Sequence, residues 1–183
     1  MFFRHTLLAL ALLGTSLAQA APLKVDAAKS KLTITFKQMN VPVDAQFKKF
    51  AALLDYDAAK PEATKAQVEI DVASFDVGDA DYNKEVLKKE WFNAAQFAKA
   101  SFVLSSLKPA AAGTLTASGK LTIKGKVLDV QFPLNVKPEG KAYHFTGKLP
   151  IKRLSFNIGE GEWKDTGMVA DEVTIQFNFY TQP

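Results

Sequence analysis

The chain has 183 residues, no cysteine and a net charge of +4, and 48% of its residues are hydrophobic against 23% that are charged. This composition is ordinary for one globular domain, and the missing cysteines exclude disulfides, thiol catalysis and thiolate metal sites. The small net charge comes from lysines scattered along polar strand faces, so no nucleic-acid partner is predicted.

The N-terminus has the form of a secretory signal peptide. Arg4 precedes a short apolar run, 7–13, and small residues at 18–20 form a cleavage site. We therefore predict a signal peptide over 1–20 that is cleaved between Ala20 and Ala21, and export to the periplasm.

The rest of the chain, 21–183, is predicted to form one domain. The only long apolar run lies in the signal sequence, and it has about half of the ~20 residues that a membrane-spanning helix needs. No transmembrane segment is therefore expected in the mature chain, which we interpret as an exported, soluble domain.

Apolar and polar residues alternate through this domain in a series of short runs. Such period-two alternation is typical of strands with one buried face. The apolar members of the runs are Leu32, Ile34 and Phe36; Val41, Val43, Ala45 and Phe47; Val68, Ile70 and Val72; Phe102 and Leu104; Leu115 and Ala117; Tyr143 and Phe145; Leu149 and Ile151; Val173, Ile175, Phe177 and Phe179. Short turns separate about eight strands, which predicts an all-β fold, an antiparallel barrel or a sandwich.

A helix around 81–92 is the exception to the strand pattern. Asp81 is a candidate N-cap, and Val86, Leu87 and Trp91 would share an apolar side. We place this short helix at one end of the β structure, where it is either a fixed plug or a lid that opens.

The clearest pair of strands is a hairpin over 121–136. A two-residue turn at Lys124-Gly125 places Leu121 opposite Leu128, so that one apolar face continues across both strands. Lysine is not favoured at the positive φ that this turn requires, so the register is better defined than the turn type.

Pro133 interrupts the second strand of that hairpin because it has no backbone N–H to donate. Its strand is therefore predicted to border an edge, a bulge or an opening in the sheet. An exposed edge at this place could be covered by a second copy of the chain, which makes a homodimer one hypothesis for the assembly.

Candidate catalytic groups are few. His144 is the one histidine after the signal peptide, it falls at an outward position of its strand, and no nucleophile, zinc-protease or phosphate-loop motif occurs. Glu160, Glu162, Asp165 and Asp171 form an acidic cluster in sequence, which is typical of exposed turns. The sequence therefore does not predict an enzyme, and activity on a lipid head group depends only on these residues.

The 14 phenylalanines leave two interpretations of the interior open. Aromatic side chains can pack against each other in a solid core. A barrel of eight or more strands can also be too wide for its own side chains to fill, which leaves a cavity for an apolar ligand.

Several segments resemble the YceI-like family, and the resemblance extends over essentially the whole mature chain. They are Lys24-Val25-Asp26 with Ser30 and 32–36; Val41-Pro42-Val43 with Phe47 and Phe50; Trp91-Phe92-Asn93 and Ala100-Ser101-Phe102; 119–125; 151–159; 161–166; and 169–173. The family implies a lipocalin-like antiparallel β-barrel in the periplasm whose interior holds a polyisoprenoid chain or an isoprenoid quinone.

On that basis we predict a non-catalytic carrier of a long apolar lipid, with no cofactor apart from the bound lipid or quinone. The predicted ligand-binding residues are Phe36, Phe47, Phe50, Trp91, Phe102, Leu121, Ile123, Tyr143, Phe145, Phe156, Asn157, Trp163 and Phe177. Tyr143, Asn157 and Trp163 are candidates for contacts to a polar head. Strand parity must slip near Lys152-Arg153, which suggests a bulge that redirects the arginine.

The alternative is a periplasmic protein-interaction module with a filled barrel. In that interpretation the charged, glycine-flanked loop around Trp163 would contact a membrane redox partner or another envelope protein.

Overall fold

The computed structural model describes residues 22–182, and the predicted signal peptide lies outside them. Within this range eleven strands form one antiparallel sheet with the order β1-β4-β5-β7-β8-β9-β10-β11-β2-β3-β6. The strands are Leu23–Lys24 (β1), Lys31–Gln38 (β2), Val41–Phe47 (β3), Phe50–Asp55 (β4), Lys65–Asp71 (β5), Phe75–Asp76 (β6), Lys99–Pro109 (β7), Leu115–Ile123 (β8), Lys126–Glu139 (β9), Ala142–Lys152 (β10) and Val169–Tyr180 (β11).

The sheet curls into a lipocalin-like half-barrel, which confirms the predicted all-β, antiparallel fold. β1 pairs with β4 on one side, and Val25 forms a bridge with Thr181 just beyond the end of β11. The strand count exceeds the predicted eight because β4 was not recognised and because β1 and β6 contain only two residues each. Among the described residues, no helix has both the length and the apolar character needed to span a bilayer.

The predicted hairpin is confirmed in register. Ile123 pairs with Lys126 and Leu121 with Leu128, and both turn residues have positive φ, 48° at Lys124 and 73° at Gly125. Leu121 is buried, whereas Leu128 is 36% exposed. The apolar side chains of β9 are thus more exposed toward the turn, because this part of β9 has no partner in β10.

Pro133 marks the place where β9 and β10 separate. β10 pairs with β9 from Ala142–Glu139 to Gly147–Leu134, so the pairing stops at the residue that follows Pro133 in the sequence. β9 continues to pair with β8 beyond this point. Proline is tolerated at this position because the pairing with β10 has ended and requires no N–H from residue 133. The predicted opening next to Pro133 is therefore confirmed.

The helix prediction was wrong in its extent. The helix α1 covers Ala80–Glu85, and Asp79, not Asp81, is its N-cap, with Oδ1 accepting from the N–H groups of Asp81 and Tyr82 at 2.9 and 3.1 Å. Beyond the helix the chain folds back, because Phe92 N–H donates to the Val86 carbonyl at 2.9 Å. A continuous helix cannot make this reversal, so the residues up to Asn93 form successive turns.

Strand alternation directs the buried residues toward the inside of the curled sheet. Aromatic rings form much of this interior: Phe102 packs on Phe132 with ring centroids 5.5 Å apart, and Phe132 packs edge-on against Phe177 at 5.6 Å. The rings meet at tilted or edge-on angles, which aromatic pairs prefer. They line the interior without filling it.

Candidate ligand cavity

A cavity of about 420 Å³ lies inside the curled sheet. Protein cavities that hold small molecules typically measure roughly 300–1,000 Å³ and are mainly apolar, so this volume suits an organic ligand. The wall is almost entirely aliphatic and aromatic. Its apolar members include Leu32, Ile34, Phe36, Phe47, Leu54, Val68, Ile70, Phe102, Leu107, Ala117, Leu121, Ile123, Phe132, Leu134, Phe145, Leu149, Ile175, Phe177 and Phe179.

Strand register separates the two ends of this cavity. Ala117 and Ile123 both line it and stand six residues apart on β8, about 20 Å at ~3.3 Å per residue. Ala117 pairs with Leu107, near the turn that precedes Thr64, whereas Ile123 adjoins Lys124, whose ammonium group contacts the segment carrying Trp91.

We name the two ends after the aromatic residue that lines each of them. At the Tyr56 end, the Tyr56 ring contacts Tyr143 and Phe145 with centroids 5.0 and 5.4 Å apart. At the Trp91 end, the indole packs on Trp163 at 5.3 Å. Four polar residues also line the cavity close to the Trp91 end, and they are exposed or half-buried, which places the opening to solvent there: Gln38, Asp79, Tyr82 and Glu85.

Most of the predicted ligand-binding residues lie on the cavity wall. Those that line it are Phe36, Phe47, Trp91, Phe102, Leu121, Ile123, Phe145, Trp163 and Phe177. They come from β2, β3, β7, β8, β10 and β11, from the turns that follow α1 and from the 3₁₀ turn Gly161–Lys164, so the fold brings together residues that are far apart in sequence. Whether they contact a ligand stays a prediction.

Four predicted residues do not line the cavity. Phe50 stacks on Phe179 at 5.0 Å, and Tyr143 lies beyond the wall with its ring against Tyr56. Phe156 is only 1% exposed because a 3₁₀ turn packs it into the core. Asn157 ends that turn with φ 57° and contributes its carbonyl oxygen to Lys124. Whether Tyr143 and Asn157 contact a head group stays a prediction.

Arg153 occupies a built site at the Trp91 end. The predicted bulge is a 3₁₀ turn, Arg153–Phe156, which begins where β10 ends and turns the arginine inward, so that it is 2% exposed. All five N–H groups of the guanidinium donate to backbone carbonyls. The acceptors are Ala170 (from Nε, 3.1 Å), Ile158 and Gly159 (from Nη1, 2.8 and 3.3 Å), and Trp163 and Val169 (from Nη2, 2.7 Å each).

The buried charge of Arg153 is not neutralised by a direct ion pair with any of the described residues. Burial lowers the pKa of its guanidinium, and the nearby Asp171 carboxylate opposes that effect. The guanidinium carbon lies 5.8 Å from the centroid of the Trp91 ring, within the range of a cation–π contact. The Trp91 end of the apolar cavity therefore contains a buried guanidinium beside an indole ring.

Two sets of hydrogen bonds hold the Trp91 segment in place. Lys124, whose side chain is 7% exposed, donates from Nζ to the carbonyls of Lys89 and Asn157 at 2.7 and 2.8 Å and to Glu160 Oε2 at 2.9 Å. The Glu90 carbonyl accepts from the N–H groups of Gly159 and Glu160 at 2.8 Å each. The positions of Trp91 and Arg153 are thus coupled through one loop.

Sequence reasoning missed several cavity residues. Phe132 and Leu134 belong to the predicted hairpin face and could have been included from alternation alone. Tyr56 and Thr64 flank a loop and carry no periodic signal. Arg153 was expected to change direction, but nothing in the sequence indicates that five distant carbonyls surround it.

The candidate catalytic groups are engaged elsewhere. His144 does not line the cavity; its ring stacks on Tyr180 at 4.0 Å, and Nε2 lies 2.5 Å from Asn178 Oδ1. In the acidic cluster, Glu160 binds Lys124, a hydrogen bond that lowers the pKa of its carboxyl, and Asp171 accepts from Leu154 N–H at 3.0 Å. Within residues 22–182, no group of three or more carboxylate or histidine side chains is arranged to hold a metal.

Comparison with known proteins assigns the chain to a described family. The YceI-like domain matches residues 23–181, nearly the whole of the described range. The chain belongs to the YceI-like family. A UPF0312 protein of Shewanella oneidensis is 30% identical over 162 residues, which cover 81% of this chain and 85% of that protein.

Solved structures of other proteins share the architecture. The crystal structure of BcnA from Burkholderia cenocepacia is 50% identical, covers 86% of this chain and 99% of its own, and has a TM-score of 0.84. A polyisoprenoid binding domain from Saccharophagus degradans, implicated in plant cell wall breakdown, is 19% identical, covers 90% of this chain and 100% of its own, and has a TM-score of 0.66. At that identity the second likeness shows the fold alone.

Proposed function

We propose that this YceI-like protein is a non-catalytic periplasmic carrier of a long apolar lipid, a polyisoprenoid or an isoprenoid quinone. The single observation that carries the proposal is the apolar cavity of about 420 Å³ enclosed by the sheet. The polyisoprenoid binding domain of the same fold and the signal-like N-terminus support the ligand class and the compartment.

The binding energy of such a ligand comes from burial of its hydrocarbon. Each buried methylene contributes ~0.8 kcal/mol, so a chain of about twenty carbons supplies ~16 kcal/mol, against ~4–15 kcal/mol for association and ordering of the chain. Micromolar or tighter binding is therefore physically reasonable without a strong polar contact.

The cavity also bears on the alternative function. A protein-interaction module with a filled barrel has no need of such a space, and the interior is not filled. Trp163, the proposed anchor for a protein partner, is half-buried against Trp91 on the cavity wall. The redox partner and the homodimer find no support in these contacts.

The carrier proposal is tested by organic extraction of the purified protein followed by mass spectrometry, together with titration of isoprenoids into extracted protein. We expect a stoichiometric isoprenoid lipid in the extract and saturable binding in the titration. An extract without lipid, combined with no binding of added isoprenoids, would contradict the proposal.

A further inference from the structure

Two buried polar atoms of the described residues have no hydrogen-bond partner, Trp91 Nε1 and Thr64 Oγ1. Both side chains line the same apolar cavity, Trp91 at its own end and Thr64 at the Tyr56 end. A buried donor or acceptor left unsatisfied costs roughly 1–3 kcal/mol, so such groups are rare in folded proteins and call for an explanation. A ligand in the cavity is the simplest candidate for the missing partner.

The two unpaired atoms differ in what they indicate about that ligand. A threonine hydroxyl rotates, donates and accepts, and so imposes little on its partner. An indole Nε1–H is a donor only, with a direction determined by the ring. The Trp91 ring is held on one side by Trp163 and lies 5.8 Å from the guanidinium carbon of Arg153. Trp91 therefore offers one oriented donor and requires an acceptor.

The charged groups at this end already have hydrogen-bond partners. Arg153 contributes a buried positive charge, but all five of its N–H groups already donate to backbone carbonyls, so it acts on a ligand through its field and not by direct bonding. The carboxylates that line the cavity are engaged: Glu85 pairs with Lys88 at 2.5 Å, and Asp79 caps α1. Among the polar groups described at this end, the Trp91 Nε1–H is thus the donor left without a partner, and a carbonyl oxygen is an acceptor that fits it.

We propose that Trp91 Nε1–H is the head-group donor of the cavity, and that it binds an acceptor oxygen such as a ketone or quinone carbonyl at the head of the lipid. The tail then extends along β8 toward Ala117 and the Tyr56 end. This inference rests on the proposed carrier function and adds to it the chemistry of the head and the direction in which the lipid lies.

The test compares two ligands on matched variants. Geranylgeranylacetone is an isoprenoid ketone, and its analogue with a methylene in place of the carbonyl has the same tail and no oxygen. Affinities for both are measured by calorimetric titration on the wild type, Trp91→Phe, Trp163→Phe and Thr64→Val. Trp163→Phe tests the rival donor, since it removes the neighbouring indole N–H from the same wall.

The wild type is expected to bind the ketone roughly fivefold more tightly than the hydrocarbon, the ratio that one net hydrogen bond supplies. Trp91→Phe should bind both ligands alike, whereas Trp163→Phe should keep the preference. Three outcomes would overturn the head-group assignment: the wild type shows no preference for the ketone, the preference survives Trp91→Phe, or it disappears in Thr64→Val. The carrier function would still stand in each case, because the hydrocarbon binds. Failure of both ligands to bind would refute the carrier function itself.

A second measurement follows the indole N–H resonances of the wild type by NMR. The chain has two tryptophans, so the two indole N–H resonances can be assigned with Trp163→Phe. The Trp91 resonance is expected to shift downfield when the ketone is added and to move much less with the hydrocarbon. Equal responses to the two ligands would count against the proposed hydrogen bond.

Discussion

The guanidinium of Arg153 lies in the space where a β-carbon of Gly159 would stand, and its Nη1 donates to the Gly159 carbonyl at 3.3 Å. Gly159 has φ +80°, a backbone conformation that residues other than glycine rarely adopt. The loop can surround the cation with carbonyls only because this residue has no side chain.

Replacement of Gly159 by alanine is expected to destabilise the fold by about 2–4 kcal/mol, because left-handed strain and overlap with Arg153 act together. Gly161→Ala is the control, since Gly161 has φ +64° and no atom within 4 Å of the added methyl group. It should show the strain alone, about 1–2 kcal/mol. Urea unfolding measures both, and equal losses would show that the overlap with Arg153 is unimportant.

Lys124 is an unfavourable residue for the backbone conformation of its turn, but its side chain stabilises the fold. Its φ of 48° suits asparagine or glycine better, but its ammonium group makes three hydrogen bonds to the loops around Trp91. Because hydrogen bonds to charged groups are worth ~1.5–3 kcal/mol and the turn preference about 1, Lys124→Asn should lower the free energy of unfolding.

Met39 provides the matched control for that substitution. It occupies the first position of the Met39-Asn40 turn, with φ 49°, and is 71% exposed. Met39→Asn is expected to stabilise the protein by a few tenths to 1 kcal/mol, since only the turn preference changes. Changes of the same sign in both variants, measured by thermal or urea unfolding, would contradict this account of Lys124.

Asp76 gives the attachment of α1 a dependence on pH. Hydrogen bonds from Lys48 and Asn83 hold the pKa of this carboxyl well below its usual range, and Gly78 N–H also donates to it. A lowered pKa means that the stabilisation is complete above the usual aspartate value of ~3.9 and is lost as the pH falls toward the folded-state pKa.

Asp76→Asn should therefore be less stable than the wild type at neutral pH, and the difference should shrink as the pH falls below about 4. Asp81→Asn, at a carboxyl whose side chain is 95% exposed, should behave like the wild type throughout. Urea unfolding at a series of pH values provides the comparison. A gap between Asp76→Asn and the wild type that does not change with pH would rule out ionisation as its source.

Ala117→Phe is expected to block the cavity. Ala117 is 1% exposed and lines the cavity toward the Tyr56 end, so a benzyl group there excludes part of a lipid chain. Displacement of two methylenes costs ~1.6 kcal/mol, a loss of affinity of roughly tenfold. Ala51→Phe, on the exposed side of β4, should bind isoprenoids as the wild type does. Unchanged binding by a folded Ala117→Phe would place the ligand elsewhere.

The hairpin over 121–136 shows why much of the fold could be predicted. Its register depends on alternation and on a two-residue turn, which are properties of neighbouring residues. The helix was predicted less well, because the Phe92–Val86 hydrogen bond and the burial of Trp91 override the local helical pattern. Phe50 and Phe156 were assigned to the site from their hydrophobicity, which does not distinguish a cavity wall from a packed core.

From the sequence alone, the antiparallel all-β architecture, the strand faces and the break at Pro133 followed, because alternation and a missing N–H act within one or two residues of their cause. The tertiary structure alone decided that the interior is hollow and that Arg153 and Trp91 meet at one end of it. The width of a curled sheet depends on how all its strands pair and tilt, and the carbonyls around Arg153 are brought together by a loop and the start of β11. These are distances between remote residues, and no local pattern encodes them.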